Sequence, residues 1–135
     1  MKTVLFVCTG NTCRSPMAEG YLKSKEIKGL TVLSRGISAD GSAVSENSLL
    51  AMKESGIDIS AHKSTQLTYE DTDLASVILC MSSSHAELLE ALGVDKLKIH
   101  ILGVPDPYGS GLDTYRTSRD EIFAAIDELI ADGVI

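Results

Sequence analysis

No apolar run in this 135-residue sequence is long enough to cross a bilayer. Stretches such as Ala75 to Met81 fall far short of the ~20 residues a spanning helix needs. Basic residues are scarce: 12 Lys and Arg against 19 Asp and Glu leave a net charge of −7. That balance argues against a nucleic-acid partner, because phosphate-backbone binding needs a basic face. Cysteine is too sparse for a disulfide scaffold, with 3 widely spread residues, and the odd number fits a reducing compartment. Linkers, repeats and low-complexity tracts are missing, so residues 1–135 are expected to form one domain with one core. Met1-Lys2 leads straight into a strand-like segment with no cleavable signal pattern behind it, so a cytoplasmic location away from membranes is expected.

What is present is an alternation of apolar runs with helical patterns. Thr3 to Val7 reads as a buried strand, Leu30 to Leu33 as a second, Val77 to Met81 as a third and Leu97 to Leu102 as a fourth. Between them, Met17, Ala18, Tyr21 and Leu22 recur at helical spacing from Pro16 toward Gly29, and Ser42 to Glu54 is again helical until Gly56 stops it. Ser82-Ser83-Ser84 starts a helix that runs to Leu92-Gly93. After a loop rich in Pro and Gly, Gly103 to Gly111, a final helix is expected from about Leu112 to Ala131, with Tyr115, Ile122, Phe123, Ile126, Leu129 and Ile130 on one face. The alternation predicts an α/β fold: a four-stranded parallel sheet covered by helices on both faces. Ligands of such sheets bind beyond the carboxyl ends of the strands, where the Cys8 and Asp106 loops should both open.

The segment Cys8-Thr9-Gly10-Asn11-Thr12-Cys13-Arg14-Ser15 joins the first strand to the first helix. Gly10 and Asn11 tolerate positive φ, so the chain can curl with its N–H groups inward. Such a nest at a helix N-terminus binds phosphate through backbone donors and the helix dipole. Pro16 suits the first helical turn. Arg14 adds a planar fork for two phosphate oxygens. In that positive field Cys8 is expected to be a thiolate at neutral pH and a nucleophile. Asp106 stands in an Asp-Pro pair in a Gly-rich loop, which taken alone reads as a turn.

Read together, Val7 to Glu19, Ile57 to Ser64, Ile78 to Met81 and Asp106-Pro107-Tyr108 resemble the low-molecular-weight protein tyrosine phosphatase family over nearly the whole chain. The resemblance implies a metal-free, cofactor-free two-step hydrolysis. Cys8 would attack phosphorus and carry a phosphocysteine, Arg14 and the loop from Thr9 to Cys13 would hold the phosphate, and Asp106 would be the general acid. Asn11 and Ser15 match residues that hold the loop's shape, and Ser15 would donate to the thiolate. His62 matches a supporting histidine. Cys13 matches a cysteine that can pair with the nucleophile on oxidation, although it also reads as a passive small residue. His85 and His100 match nothing in the pattern and are expected at the surface or at a helix start. Cys80 is expected to be core packing.

Two positions bear on the substrate. Threonine at position 12, where tyrosine phosphatases of the family have isoleucine or leucine, resembles the bacterial protein arginine phosphatase branch. Gly109-Ser110 after Tyr108 leaves one aromatic to flank the substrate, as in that branch. A phosphorylated protein carrying phosphoarginine is therefore the expected partner, with phosphotyrosine the alternative and inorganic phosphate the product. Thioredoxin-linked arsenate reductases share the start of the motif but use two further cysteines after the third strand, where this chain has Glu87, Leu88 and Leu89. Non-hydrolytic phosphocysteine carriers on a similar fold would not require the Arg14 and Asp106 pair.

Overall fold

The computed structural model describes residues 2–135. In chain order the elements are β1 (Lys2–Cys8), α1 (Arg14–Ser24), β2 (Leu30–Gly36), α2 (Glu46–Lys53), α3 (Tyr69–Leu74), β3 (Val77–Cys80), α4 (Ser83–Ala91), β4 (Ile99–Ile101) and α5 (Leu112–Ala131). A single 3-10 turn, Lys96–Lys98, precedes β4. The four strands form one parallel sheet in the order β2-β1-β3-β4. The α/β reading with a four-stranded parallel sheet holds.

β1 is central, and its side chains feed two cores. Val4, Phe6 and Cys8 face one side, where they pack with Met17, Ala18 and Leu22 of α1, Ala51 and Met52 of α2, and Tyr115, Ile122 and Ile126 of α5. Leu5 and Val7 face the other, against Ile78 and Cys80 of β3 and Ala86 and Leu89 of α4. Burial on both faces explains why β1 is apolar throughout rather than alternating. Each fully buried Leu, Ile, Phe or Met side chain here contributes about 1.5–3 kcal/mol relative to exposure. The edge strand β2 shows the opposite pattern, with residues alternating between buried and partly exposed.

Several boundaries differ from the sequence reading. α1 stops at Ser24 rather than near Gly29, because Leu22 is its last core residue and Glu26 and Gly29 turn to φ of 51° and 74°. α2 begins only at Glu46, after Ser45, whose hydroxyl accepts the Ser48 N–H as a cap. β4 is shorter than Leu97 to Leu102: as an edge strand it pairs only through Ile99, His100 and Ile101, and Leu97 is exposed on the 3-10 turn. α3 was not anticipated. Its six residues bury only Thr72, too little apolar periodicity to read, although a capping box between Thr68 and Asp71 marks its start.

The strand order sets the position of the site. From β1 the chain goes outward to β2, then crosses back over β1 to reach β3. Neighbouring connections therefore leave β1 and β3 in opposite directions and open a crevice at their carboxyl ends. The loop after β1, the start of α4 after β3 and the segment after β4 all meet there.

Candidate active site

Cys8 is the last residue of β1 and Arg14 the first of α1, so strand and helix fix both ends of the intervening loop. The Cys8 and Thr9 carbonyls accept the N–H groups of Ile37 (3.0 Å) and Ser38 (2.9 Å) just beyond β2. That close approach requires Gly36: a Cβ there would sit 2.8 Å from the Thr9 carbonyl oxygen and 2.9 Å from the Asn11 Cβ. Asn11 turns the loop at φ 56°. Gly10 does not adopt positive φ, and a Cβ there would meet only Thr12 Oγ1 at 3.6 Å. Of the two residues expected to allow positive φ, Asn11 adopts it and Gly10 does not, and the close backbone approach falls at Gly36 on the neighbouring strand. Asparagine suffices at 11 because its short polar side chain tolerates the left-handed region.

Both amide protons and the amide oxygen of that side chain are engaged. Asn11 Nδ2 donates to Ser15 Oγ (2.7 Å) and Ser34 Oγ (3.0 Å), and Oδ1 accepts the Thr65 N–H (2.8 Å). Because Asn11 occupies the Ser15 oxygen as a donor, the Ser15 proton is free to point at Cys8 Sγ, 2.8 Å away. The Asn11 N–H reaches the same sulfur at 3.2 Å. His62 Nε2 lies 2.8 Å from the Asn11 carbonyl, which can only accept, so that nitrogen carries the proton. Ser34 donates to Glu19 Oε1 (2.8 Å), and His62 Nδ1 stands 3.4 Å from the same oxygen. Glu19 and Ser34 are thus members of the network that sequence reasoning passed over. Ser34 is 2% exposed and its hydroxyl is fully engaged, a burial that nothing in the local sequence announces.

The Cys8 thiol is 3% exposed, and burial pushes its pKa up. The Ser15 hydroxyl and N–H, the Asn11 N–H and the Arg14 charge pull it down without offsetting that rise. The direction is the reverse of the sequence expectation, which counted the positive field but not the loss of water around the sulfur. The α1 N-terminus acts in the same lowering sense as Ser15. Cys13, also buried, has three hydroxyls around its sulfur: Tyr115 (3.4 Å), Ser45 (3.5 Å) and Thr12 (3.7 Å). Burial and the neighbouring Cys13 push the Tyr115 hydroxyl up to about 12. Cys80 lies wholly in the core, where burial drives it to about 12.

Arg14 is 5% exposed and donates through Nη1 to the Val104 carbonyl (2.9 Å). Val104 in turn gives its N–H to Met81 at the end of β3 (3.0 Å). This double anchor brings the segment after β4 onto the loop and sets Asp106 Oδ2 3.8 Å from Arg14 Nη2. Asp106 is half-exposed, and its other oxygen accepts the Tyr108 N–H (3.0 Å). Cys8, Thr9, Gly10, Thr12, Cys13, Arg14, Asp106 and Tyr108 together line a cavity of about 220 Å³. Every catalytic and substrate-binding residue expected from the sequence lines this cavity except Asn11 and Ser15, which stand behind it in the network. His85 stands at a helix start, as expected, in the first turn of α4; it is 5% exposed and bonds to Thr9. His100 is half-buried on β4.

The network has a measurable consequence. Burial raises the Glu19 carboxyl, but hydrogen bonds from His62, Lys23 and Ser34 outweigh it and hold the group at about 2, from an ordinary 4.5. A depressed folded-state value means stabilisation that is present above pH ~4.5 and lost as pH falls toward about 2. Wild type is expected to exceed Glu19→Gln by about 3 kcal/mol at pH 6. Urea unfolding as a function of pH should show that gap closing between pH 5 and 2. A gap independent of pH would remove the ionised Glu19 from the account.

The site has a thiol at the floor of a small cavity, a buried guanidinium at its side and a carboxylate at its rim, all at the carboxyl edge of a parallel sheet. A family model described as low molecular weight phosphotyrosine protein phosphatase matches residues 3–132. The chain belongs to that family and is by membership a phosphatase. Among curated relatives, a protein-arginine-phosphatase from Geobacillus stearothermophilus is 41% identical over 93% of this chain and 92% of its own length. An arsenate reductase from Staphylococcus epidermidis is 37% identical over 93% of both chains. The solved YwlE arginine phosphatase from Geobacillus stearothermophilus superposes with a TM-score of 0.92 at 38% identity, covering 98% of this chain and 92% of that one.

Proposed function

We propose that this phosphatase hydrolyses phosphoarginine in proteins, with phosphotyrosine as the competing substrate. The Cys8 thiolate attacks phosphorus, forming the S–P bond as the P–N bond breaks, and Asp106 gives its proton to the departing guanidinium nitrogen. Water then attacks phosphorus and passes a proton to Asp106. The S–P bond breaks, and phosphate leaves. Arg14 and the loop backbone carry the charge on the phosphoryl oxygens, the main task in such transfers. No step calls for a metal or cofactor. The Ser15 hydroxyl and the Asn11 N–H donate to the sulfur and offset part of the cost of burying the thiolate. Three free thiols fit a reducing, cytoplasmic setting.

The observation that carries the substrate class is Thr12, which lines the cavity together with a single aromatic, Tyr108. A hydroxyl there can accept from a guanidinium, whereas an aryl ring would gain from an apolar wall. The high identity to a protein-arginine-phosphatase supports the same reading. Arsenate reduction is the weaker alternative despite the similar identity of that relative. The chain has 3 cysteines, none after Cys80, and Cys80 lies in the core with its thiol held protonated. When a peroxide oxidises Cys8 to a sulfenic acid, the Cys13 thiol displaces water to form a disulfide, which protects the nucleophile.

The test is kcat/KM on one peptide carrying phosphoarginine and one carrying phosphotyrosine. Phosphoarginine is expected to be preferred, and Thr12→Ile is expected to move the ratio toward phosphotyrosine by about tenfold, the scale of a pocket-wall change. An unmoved ratio would show that Thr12 is not the selector. A wild-type preference for phosphotyrosine would overturn the substrate assignment and leave the chemistry in place.

A further inference from the structure

The crevice at the ends of β1 and β3 has two walls, and only one belongs to the reaction described above. The other is the first turn of α4. An open groove of about 570 Å³ runs along it and shares Thr9, Arg14 and Asp106 with the catalytic cavity. His85, 5% exposed, stands in this wall. Its Nε2 is 2.9 Å from Thr9 Oγ1, and its Nδ1 is 3.0 Å from Ser82 Oγ.

The disposition of Ser82 is informative. It occupies the N-cap of α4, where a serine side chain ordinarily accepts a helix N–H, yet it makes no such bond. The hydroxyl is turned instead to His85 and to Ser84 (2.9 Å). α4 thus forgoes its best local stabiliser, and the residue released from capping locks the imidazole. A broken local rule of this kind marks a position set by function. On the far side, Thr9 is already held by its backbone, through the Ser38 N–H and the glycine at 36. Thr9 is itself exposed, so its side chain depends on the histidine for its direction.

We infer that His85 is a positioning residue for the catalytic loop, fixing through the Thr9 hydroxyl the residue that follows the nucleophile. The inference rests on reading Cys8 to Ser15 as the phosphate site. Thr9 is held by β2 on one side and by α4 on the other, so the loop is clamped across the switch point of the sheet. Preorganisation of this kind keeps charge-stabilising donors aimed without reorganisation during the reaction. Burial and the Arg14 charge push the imidazole below its ordinary value, with Asp106 opposing; Cys8 and Cys13 are the other titratable groups of the loop it contacts. A neutral ring has one donor and one acceptor, which suits two hydroxyls that can each do either.

The test is a double-mutant cycle on the full chain: His85→Ala, Thr9→Val and both together. Readouts are kcat and KM for an aryl phosphate and the inhibition constant of inorganic phosphate. Each single change is expected to lower kcat about tenfold and weaken phosphate binding similarly, the scale of one hydrogen bond. The double variant is expected to lose no more than either single one, because both remove the same link. His85→Gln, which keeps a hydrogen-bonding side chain, is expected to recover part of the loss. Losses that multiply in the double variant, or Thr9→Val at wild-type activity, would overturn the inference. Thr9 is exposed, so that variant folds and decides the question even where His85→Ala does not. Failure of the phosphate-site reading itself would show separately, as wild-type protein indifferent to inorganic phosphate.

Discussion

Cys8→Ser is expected to leave no measurable turnover, a loss of about 10⁴-fold or more, in a protein that still folds. The expectation has two parts, and the geometry supports each. A serine hydroxyl is a weak nucleophile unless a base activates it. The groups around Cys8 Sγ are all donors, namely the Ser15 hydroxyl at 2.8 Å and the Asn11 N–H at 3.2 Å. They stabilise an anion once formed and cannot take a proton from an alcohol. The same two donors satisfy a buried serine oxygen at this 3% exposed position, and its own proton can turn to the cavity that residue 8 lines. Stability should therefore change by no more than ~1 kcal/mol, or about 5 °C in Tm. Circular dichroism melting and a steady-state assay of the same sample separate the two parts. Turnover above one part in a hundred of wild type would remove Cys8 from the reaction. A collapsed Tm would instead make Cys8 a structural residue.

What the sequence could and could not disclose follows from how far apart the partners lie. β1 and α5 were readable because each carries a strong local pattern: a continuous apolar run in one, and apolar residues at helical spacing in the other. Cys8, Arg14 and Ser15 lie within one short loop whose chemistry is set by spacing. Asp106 needed the family resemblance, because nothing local distinguishes it from a turn. Glu19, Ser34 and His62 come from three separate segments, and only the β1–β2 pairing and the loop beyond it bring them to Asn11. The contact that His85 makes was hidden for the same reason. The residue's position at a helix start was legible, but its burial depends on β3 lying beside β1, a fact of topology rather than of local sequence. The Cys8 pKa shows a further limit. The sequence displays the charged neighbours, and only the fold displays how little water reaches the sulfur.

Asp106→Asn is expected to slow hydrolysis by about 10²–10⁴, the usual contribution of a general acid, and the leaving group decides whether that explanation is right. Asparagine keeps the shape of the side chain and the oxygen that accepts the Tyr108 N–H, so the turn after Pro105 should persist. It removes the proton and also the charge that faces Arg14 at 3.8 Å. These two losses predict different patterns. Asp106 is half-exposed, so the ion pair is screened and contributes little to stability. If its work were to orient Arg14, every substrate would suffer equally, because in the proposed reaction Arg14 holds the phosphoryl oxygens whatever departs. If its work is to supply a proton, the penalty falls on substrates that need one. A phosphoramidate or an alkyl phosphate should then lose the full factor, while an aryl phosphate with an acidic phenol loses little. KM should move less than kcat in either case, since Arg14 is independently anchored by the Val104 carbonyl. A series of phosphate esters graded by leaving-group pKa, assayed on wild type and on Asp106→Asn, therefore gives two slopes. A steeper slope in the variant assigns the proton to Asp106. Parallel lines would take the acid role from this residue and leave it as a partner of Arg14.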